Sequence, residues 1–408
     1  MIYLSTLVKI HRQKIVAVIV ERSNSYARQI IEGIADFAAS HENWTMELID
    51  PQEMEGERLD RYDGFIVRTP NASGTRRIQR CARPTIETGG ILKGHRNAVL
   101  VRSDIEAVSR LAAEHFLSLR HVNFAYCGFD GQRYSHERAT SFAEALRPYG
   151  HAPIIYESPR SSRSDFTHGS QLSAPLEISD RDALRLWLKS LPKPIALFCC
   201  NDRRAFHVLR ICREAGIAVP TEISICGVDN DPVLCSFLSP RLTSIDPDAH
   251  KVGLEAAAAL AGLMGETGYL QRKPGEIVSI PPKGIVTRMS STIFPVDPPW
   301  LCDALMYIRR HTCEHLTSSE ICAFVQKSNS AVNNAFRSKL NTTVQKEIAA
   351  ARLEVARTLL IGTNLSIREI ATRSGFASAE YFCRCFSQAY GCSPSDFKGG
   401  DRRLPGRP

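Results

Sequence analysis

The chain has 408 residues, of which 43% are hydrophobic and 23% are charged. This composition is ordinary for globular protein and excludes a chain that is mainly disordered. At roughly 100–200 residues per domain, the length predicts two to four domains. Fifteen basic and nine acidic side chains lie in residues 301–408, so this last quarter carries six of the eight excess positive charges. A basic carboxyl-terminal module indicates a polyanionic partner.

Targeting segments and metal motifs are not evident. No stretch approaches the roughly 20 apolar residues of a membrane span, and residues 1–12 lack a secretory apolar run. The 13 cysteines are scattered through apolar runs, which is typical of reduced thiols. His311 and His315 lie one helical turn apart around Cys313, but no second ligand pair is near them in the sequence. We therefore expect a cytoplasmic protein with no membrane association, metal or cofactor.

Residues 14–288 alternate between short apolar runs and amphipathic helical stretches. The predicted strands are Ile15–Val20, Thr45–Ile49, Gly64–Val67, Ala98–Val101, Val122–Cys127, Ile154–Tyr156, Ile195–Cys200 and Ile223–Val228. The predicted helices are Tyr26–Ser40, Asp104–Leu119, Ser135–Tyr149, Asp180–Leu191, Asp202–Ala215 and His250–Met264. Continuous apolar strands alternating with helices are typical of parallel sheets buried on both faces. The pattern predicts an α/β domain with doubly wound parallel sheets in two lobes and a ligand crevice at the strand ends.

Two segments interrupt this alternation. Residues 158–175 are polar and Ser-rich and predict an exposed excursion, whereas residues 289–299 carry three prolines and predict an interdomain linker. The predicted organisation is an effector domain over 1–288, a linker over 289–299, a helical domain over 300–398 and a basic flexible tail over 399–408.

The helical domain repeats one pattern. Thr317 and Glu320 form a capping box, and Ser366 and Glu369 form a second one 49 residues later. A turn and a second amphipathic helix follow each box, and Glu347–Leu360 predicts one helix between the two units. Two helix-turn-helix units in a basic segment indicate DNA binding, because the second helix of such a unit enters the major groove. A helical dimerisation bundle is the alternative.

The stretch Leu365–Lys398, with its I-x-x-I-A helix, G-F turn and Y-F-x-x-x-F helix, resembles the AraC-type transcription regulators. Residues Ile308–Asn341 resemble the first half of the same double unit. The resemblance implies base-contacting side chains just before the aromatic positions. These candidates are Ser330, Asn333, Asn334 and Arg337 in the first unit, and Ala379, Glu380 and Arg384 in the second. For Glu380, an ordinary acid at a helix start is the alternative.

Residues 14–288 resemble a different family. The stretch Ala196–Asp246, with its N-D at a strand end and its G-I-x-V-P-x-E-I-S-I-x-G-V-D-N-D run, is similar to the periplasmic-binding-protein-like effector domain of LacI-type repressors. Those repressors carry their helix-turn-helix before this domain. Here only about thirteen residues precede the first predicted strand, so we expect DNA binding from the carboxyl-terminal module.

An effector domain followed by an AraC-type module is the arrangement of the xylose operon regulator family, and the Tyr26–Gly33 opening also resembles that family. The resemblance implies a DNA-binding transcription regulator controlled by a small sugar, with a pentose such as D-xylose as the first candidate. It also implies a homodimer on an operator in double-stranded DNA, and RNA polymerase as a partner if the protein activates. Another carbohydrate is the alternative effector.

A sugar site needs bidentate donors and carboxylate acceptors at strand ends that face a cleft. By position and resemblance the first candidates are Arg138 and Asp229, followed by Asp202, which is also placed to cap its helix. The remaining candidates follow the first strand and are Glu21, Ser25, Tyr26 and Arg28, with Arg28 alternatively a solvated helix residue. Tyr26, Tyr134 or Phe166 would stack on the sugar.

The residues leave two other function classes open. A sugar-processing enzyme would use paired carboxylates such as Asp229 and Asp231, but no G-x-S-x-G, P-loop or H-E-x-x-H motif accompanies them. A cysteine-based sensor would use Cys81 or Cys212, each beside an arginine. We predict that the chain is not an enzyme.

Overall fold

The computed structural model describes residues 13–41, 43–51, 53–68, 72–89, 98–129, 132–156, 178–292, 298–314 and 316–399. Within these ranges the chain forms two sheet-containing lobes and a separate set of helices. The predicted fold class, a two-lobed periplasmic-binding-protein-like domain with a small helical domain, is confirmed.

Lobe one is built on a six-stranded sheet with the strand order β11-β5-β4-β3-β1-β2, and every neighbouring pair in it is parallel. Its strands are β1 (Lys14–Ile19), β2 (Trp44–Ile49), β3 (Gly64–Val67), β4 (Thr85–Glu87), β5 (Ala98–Ser103) and β11 (Ile277–Ile280). Its helices are α1 (Ser25–Ala39), α2 (Ala72–Cys81) and α8 (Ala249–Leu263), with short 3-10 helices at Glu53–Gly56 and Leu59–Arg61. Residues Val16 to Val20 are all buried, as a central parallel strand covered on both faces requires.

Lobe two has a second six-stranded sheet in the order β12-β10-β9-β8-β6-β7, in which only β10 and β12 are antiparallel. Its strands are β6 (Phe124–Cys127), β7 (Ile154–Tyr156), β8 (Ile195–Cys199), β9 (Ile223–Val228), β10 (Thr243–Asp246) and β12 (Gly284–Val286). Its helices are α3 (Ile105–Ser118), α4 (Arg133–Leu146), α5 (Ile178–Ser190), α6 (Asp202–Ala215) and α7 (Pro232–Phe237).

The chain crosses between the lobes three times, from β5 to α3, from β10 to α8 and from β11 to β12. Strand ends from both sheets therefore meet at the crossings, where ligands of open parallel sheets bind. In lobe one, α8 returns to pack on α1 through two glycines. An added Cβ on Gly33 would lie 2.0 Å from the carbonyl oxygen of His250, and one on Gly253 would lie 2.1 Å from that of Ile30.

The helical domain contains α9 (Pro299–Arg310), α10 (Ser318–Phe324), α11 (Asn329–Leu340), α12 (Val344–Gly362), α13 (Ile367–Arg373), α14 (Ala379–Tyr390) and α15 (Pro394–Gly399). Both predicted capping boxes are present, at Thr317 with Glu320 and at Ser366 with Glu369. The turn of the second unit is one residue longer and passes through Gly375 at φ 82°; the shorter first turn uses Gln326 at φ 52°. The predicted pair of helix-turn-helix units is confirmed.

The boundary between the two domains differs from the sequence prediction. Met289–Ser291, assigned to the linker over 289–299, form a 3-10 helix in which Ser290 and Ser291 are completely buried. Ser290 Oγ donates to the carbonyl oxygen of Ile225 at 2.7 Å and accepts from the backbone amide of Thr243 at 2.8 Å. These residues therefore complete the β9–β10 side of lobe two.

Some predicted segments lie where the structure gives no description. They are the whole excursion at 158–175 with Phe166, residue His315 of the group around Cys313, and the tail beyond Gly399. In the described part of the chain, no three His, Cys, Asp or Glu side chains are grouped as a metal ion would need. No described helix is both long and apolar enough to cross a lipid bilayer.

Candidate functional site

A cavity of about 140 Å³ lies between the two lobes and is lined by residues at strand ends and helix starts. Lobe one contributes the β1–α1 turn and the ends of β3, β4 and β5, and lobe two contributes the start of α4 and the segments after β8 and β9. The polar residues that line it include Ser25, Tyr26, Arg68, Arg102, Ser103, Arg133, Tyr134, Glu137, Arg138, Asn201, Asp202, Arg203, Asp229 and Asp231. The predicted crevice between two lobes is thus a feature of the structure.

Asp229 stands at the carboxyl end of β9 with the backbone in the left-handed region, at φ 108°. Its amide donates to the carbonyl oxygen of Ile245 at 3.0 Å, which fixes the residue after the strand. Burial raises the pKa of Asp229 to about 6, because it disfavours the charged form, although the nearby guanidinium groups of Arg138 and Arg68 oppose this shift. Asp229 therefore offers an acceptor near two arginines from different lobes.

Arg138 is held in the first turns of α4 and is only 6% exposed. Its Nη1 donates to the carbonyl oxygen of Cys200, and its guanidinium lies 5.4 Å from the ring centre of Tyr134. Within the described structure its buried Nε has no hydrogen-bond partner. The side chain is thus fixed from two directions beside the cavity.

Arg68 was not predicted from the sequence. It follows β3 directly, forms an ion pair with the buried Glu21, and lies 5.1 Å from the ring centre of Tyr26. Its position immediately after the predicted strand Gly64–Val67 was a signal that could have found it. The predicted site residue Glu21 is therefore a partner of Arg68. Its carboxylate also accepts a hydrogen bond from Asn24 Nδ2 at 2.9 Å.

A second charged group that the sequence reasoning missed joins β5 to α4. Glu137 accepts from Arg102 Nη1 at 2.7 Å and from Arg133 Nε at 2.7 Å. Burial opposes ionisation, but the hydrogen bond from Arg133 and the charges of both arginines lower the pKa of Glu137. Glu137 therefore offsets one of the two positive charges of Arg102 and Arg133, and Glu21 offsets that of Arg68.

Asp202 lines the cavity, but both of its carboxylate oxygens accept hydrogen bonds from the protein. Oδ1 accepts from Ser244 Oγ at 2.5 Å, and Oδ2 accepts from the backbone amide of Asp231 at 2.8 Å. Burial and then the charge of Asp229 raise the pKa of Asp202 well above its usual range. The cap of α6 is Asn201, whose side chain accepts from the amide of Arg204 at 2.9 Å. Asp202 is thus placed to position the loop that carries Asp231.

The structure brings two of the predicted residues in α1 to the cavity and leaves one away from it. Ser25 and Tyr26 line the cavity, and Tyr26 Oη lies 2.9 Å from Ser103 Oγ. Arg28 is exposed, and its Nη1 donates to the carbonyl oxygen of Arg22 at 3.2 Å. Its alternative interpretation as a solvated helix residue agrees with this position.

In the first helix-turn-helix unit, α11 is capped by the side chain of Ser328, which accepts from the amide of Ala331 at 3.2 Å. Val332 and Phe336 are completely buried on one face of the helix. The opposite face presents the predicted side chains, of which Ser330, Asn334 and Arg337 are exposed and Asn333 is half-buried. Asn333 Nδ2 donates to the carbonyl oxygen of Asn329 at 3.0 Å.

In the second unit, Ser378 caps α14, and Phe382 and Phe386 are completely buried. Glu380 and Arg384 are exposed, whereas Ala379 is half-buried against the core of this unit. Tyr381 was not predicted; it is 38% exposed, and the Arg384 guanidinium lies 5.3 Å from its ring centre. Each unit therefore presents a polar second helix above an aromatic core.

Comparison with known proteins divides the chain in the same way. Residues 113–291 match a family described as a periplasmic binding protein-like domain, and residues 321–400 match one described as a helix-turn-helix domain. The chain is 26% identical to the xylose operon regulatory protein of Haemophilus influenzae, covering 94% of this chain and 97% of that protein. It is 24% identical to the protein of the same name from Escherichia coli K12, over 92% and 94% of the two chains.

Solved structures of transcription regulators are similar to this chain over most of its length. The structure of the xylose-binding transcription activator xylR is 25% identical, covers 94% of this chain and 97% of its own, and superposes with a TM-score of 0.56. A LacI family transcriptional regulator from Enterococcus faecium with bound ribose, 23% identical, shares the fold over 68% of this chain with a TM-score of 0.52. The chain is thus similar over almost its whole length to the xylose operon regulatory proteins, and it is a transcription regulator in which a periplasmic binding protein-like domain precedes a helix-turn-helix domain.

Proposed function

We propose that a small neutral sugar binds between the lobes and controls the affinity of the helical domain for an operator. The observation that carries this proposal is the cavity in which Asp229 stands near Arg138 and Arg68, with Tyr26 and Tyr134 beside them. Carboxylates accept from sugar hydroxyls, guanidinium groups donate to them, and aromatic rings cover the apolar face of a pyranose or furanose.

Partial charge compensation favours a neutral effector. Glu137 pairs with Arg102 and Arg133, and Glu21 pairs with Arg68, so two carboxylates offset two of the three positive charges. An anionic ligand would also place its charge near Asp229. D-Xylose is the first candidate because the homologues that match almost the whole chain are xylose operon regulators. Another carbohydrate is the alternative, since solved relatives of the effector domain include complexes with ribose and with D-xylulofuranose.

Further parts of the proposal follow from the DNA-binding domain. We propose that α11 and α14 enter successive major grooves, that the regulator acts in the cytoplasm as a homodimer, and that it contacts RNA polymerase if it activates.

The chain has no enzymatic role in this proposal. Asp231, the acid that would pair with Asp229 in a hydrolase, caps α7 by accepting from the amides of Val233 at 2.9 Å and Leu234 at 3.1 Å.

Isothermal calorimetry with D-xylose, L-arabinose, D-ribose and D-glucose tests the effector. The same ligand also stabilises the folded protein. At a concentration 100-fold above Kd, it raises the free energy of unfolding by about 2.7 kcal/mol. DNA selected by the protein from a random pool then serves as operator, and its affinity is measured with and without each sugar. We expect D-xylose to bind, to lose affinity in Asp229→Asn, and to change operator affinity. Equal operator affinity with every sugar would reject sugar control.

A further inference from the structure

One helix of the effector domain reaches from the cavity into the DNA-binding domain. At the amino end of α3, Ser103 and Ile105 line the cavity, and Asp104 caps the helix by accepting from the amide of Ala107 at 2.9 Å. Ser103 also donates to the carbonyl oxygen of Pro247 at 3.0 Å, so two of the three interlobe crossings touch here. The 14 residues of α3 span about 21 Å at 1.5 Å per residue.

The carboxyl end of α3 is part of the core of the helical domain. Leu119 is 5% exposed and packs in the cluster that contains Leu301, Leu305 and Ile308 of α9. One turn earlier, Glu114 forms an ion pair of 2.6 Å with Arg357 of α12, and both side chains are about one-quarter exposed or less. Apolar and ionic contacts therefore fix the end of α3 on two helices of the DNA-binding domain.

Arg120 makes the most specific of these contacts. Its Nη1 donates to the carbonyl oxygen of Leu340 at 3.1 Å, and its Nη2 lies 2.8 Å from Glu347 Oε2. Leu340 is the last residue of α11, the second helix of the first helix-turn-helix unit. A guanidinium at that end satisfies one of the unpaired terminal carbonyl groups and complements the helix dipole.

The backbone of Arg120 is in an unusual conformation for its residue type. It follows α3 at φ 63°, in the left-handed region that favours glycine. A long side chain at such a position costs free energy that glycine would avoid. The observed arginine places its guanidinium between Leu340 and Glu347, which glycine would not do.

We propose that α3 transmits effector binding to the first recognition helix, α11, and that Arg120 is the positioning residue at that end. A ligand that moves lobe one relative to lobe two changes the backbone at Ser103, where the chain passes from β5 into α3. Because α3 packs on lobe two and is fixed to α11 and α12, its displacement changes where α11 is held. This inference rests on the proposed sugar control and adds the structural element that carries it.

Arg120→Gly is the informative variant, because glycine suits the φ of 63° and removes only the interdomain contacts. Glu114→Gln tests the second contact. Glu214→Gln is its matched control, since Glu214 also pairs with arginines, at 2.5 Å and 3.1 Å, but does so within the effector domain. Each protein is compared for D-xylose affinity, for operator affinity with and without D-xylose, and for hydrogen exchange in α11 and α12.

Coupling of the two sites in allosteric proteins is typically about 5–150-fold. We expect the D-xylose-dependent change in operator affinity to fall at least about fivefold in Arg120→Gly, and partly in Glu114→Gln. Sugar affinity in the absence of DNA stays within about twofold, because the cavity is intact, and by reciprocity the effect of operator DNA on sugar affinity falls by the same factor. Exchange at the carboxyl end of α11 becomes faster in Arg120→Gly.

The outcomes are distinguishable. A wild-type protein that binds neither D-xylose nor the other sugars contradicts the proposed function, and this is seen in the binding measurement alone. A wild type that responds to the sugar while Arg120→Gly responds equally contradicts the role of α3, even if hydrogen exchange in α11 has changed. Loss of response in Glu214→Gln as well would show a general loss of stability and would also overturn the assignment.

Discussion

The carboxylate of Asp202 accepts a hydrogen bond of 2.8 Å from the backbone amide of Asp231. The two residues follow neighbouring strands, β8 and β9, so this bond joins two loops at the floor of the cavity. Only glycine fits at position 227 next to this carboxylate, because an added Cβ on Gly227 would lie 2.2 Å from Asp202 Oδ1. The G-V-D-N-D run therefore supplies space for Asp202 as well as the acceptor Asp229.

Asp202→Ala is expected to reduce stability more than it affects sugar recognition directly. It removes the acceptor for Ser244 and for the amide of Asp231, and leaving a buried donor unpaired costs about 1–3 kcal/mol. The free energy of unfolding in urea should fall by at least about 2 kcal/mol. Asp229→Asn is the comparison; it should lose sugar affinity with little loss of stability. The opposite ranking would show that Asp202 contacts the effector and Asp229 holds the fold.

The sheets were predictable where strands are buried on both faces. Ile223–Val228 is a completely buried run, and its predicted bounds are those of β9. The edge strand β11 was missed because Ile277 is 57% exposed and the segment lacks a continuous apolar pattern. Helix α2 was missed because Ala72–Cys81 contains three arginines and few apolar residues.

The site was partly predictable for a similar reason. Residues after predicted strands fall at one edge of a parallel sheet, which identified Asp229 and Asp202. The sequence does not give the backbone geometry that makes Asn201, and not Asp202, the helix cap. It also does not give the pairing between lobe elements, such as that of Arg102 with Glu137, because those contacts depend on the tertiary arrangement.

The pKa of Asp229 predicts two opposite pH effects. Its folded value is about 6, against 3.8 for the unperturbed group, so between these pH values the folded state binds more protons than the unfolded state. Its contribution to the unfolding free energy therefore decreases as pH rises from about 4 to 6. Sugar hydroxyls that donate to the carboxylate favour its ionised form, so sugar affinity should increase over the same range.

Calorimetry between pH 5 and 8 measures the affinity, and repetition in buffers of different ionisation enthalpy detects the proton released on binding. Asp229→Asn isolates the contribution, because burial lowers the pKa of His115 to about 4 and the pKa values of His121 and His207 to about 3, so these histidines stay neutral in both proteins over this range. The variant should show a flat affinity profile and no proton release near pH 6. An unchanged pH profile in the variant would assign the titration to another group.

The contact between α1 and α8 predicts a strong effect of a single methyl group. In Gly33→Ala, the new Cβ would meet the carbonyl oxygen of His250 at 2.0 Å, and the backbone atom cannot move aside without separating the helices. Overpacking of this kind costs about 1–3 kcal/mol or more. Gly56→Ala is the control, since a Cβ there has no described neighbour within 4 Å. Thermal unfolding should distinguish them, and equal melting temperatures would contradict the tight crossing.

The two recognition helices predict a paired loss of operator affinity. Arg337 on α11 and Arg384 on α14 are exposed, whereas Phe336 and Phe382 of the same helices are buried. Replacing either arginine by alanine should weaken binding to the selected operator by about 1–3 kcal/mol, if its guanidinium reads a guanine edge. Arg310→Ala removes the same charge from the last turn of α9, outside both recognition helices, and should weaken binding least.

Salt dependence separates base reading from phosphate contact. An arginine that binds only phosphate reduces the slope of log affinity against log salt by about one when it is removed, and weakens all sequences equally. An arginine that reads a base relaxes the preference at one position of the selected operator. Because α11 and α14 belong to one chain, Arg337→Ala and Arg384→Ala should relax positions about one helical turn of DNA apart. Relaxation at the same position by both variants would contradict the reading of two successive grooves.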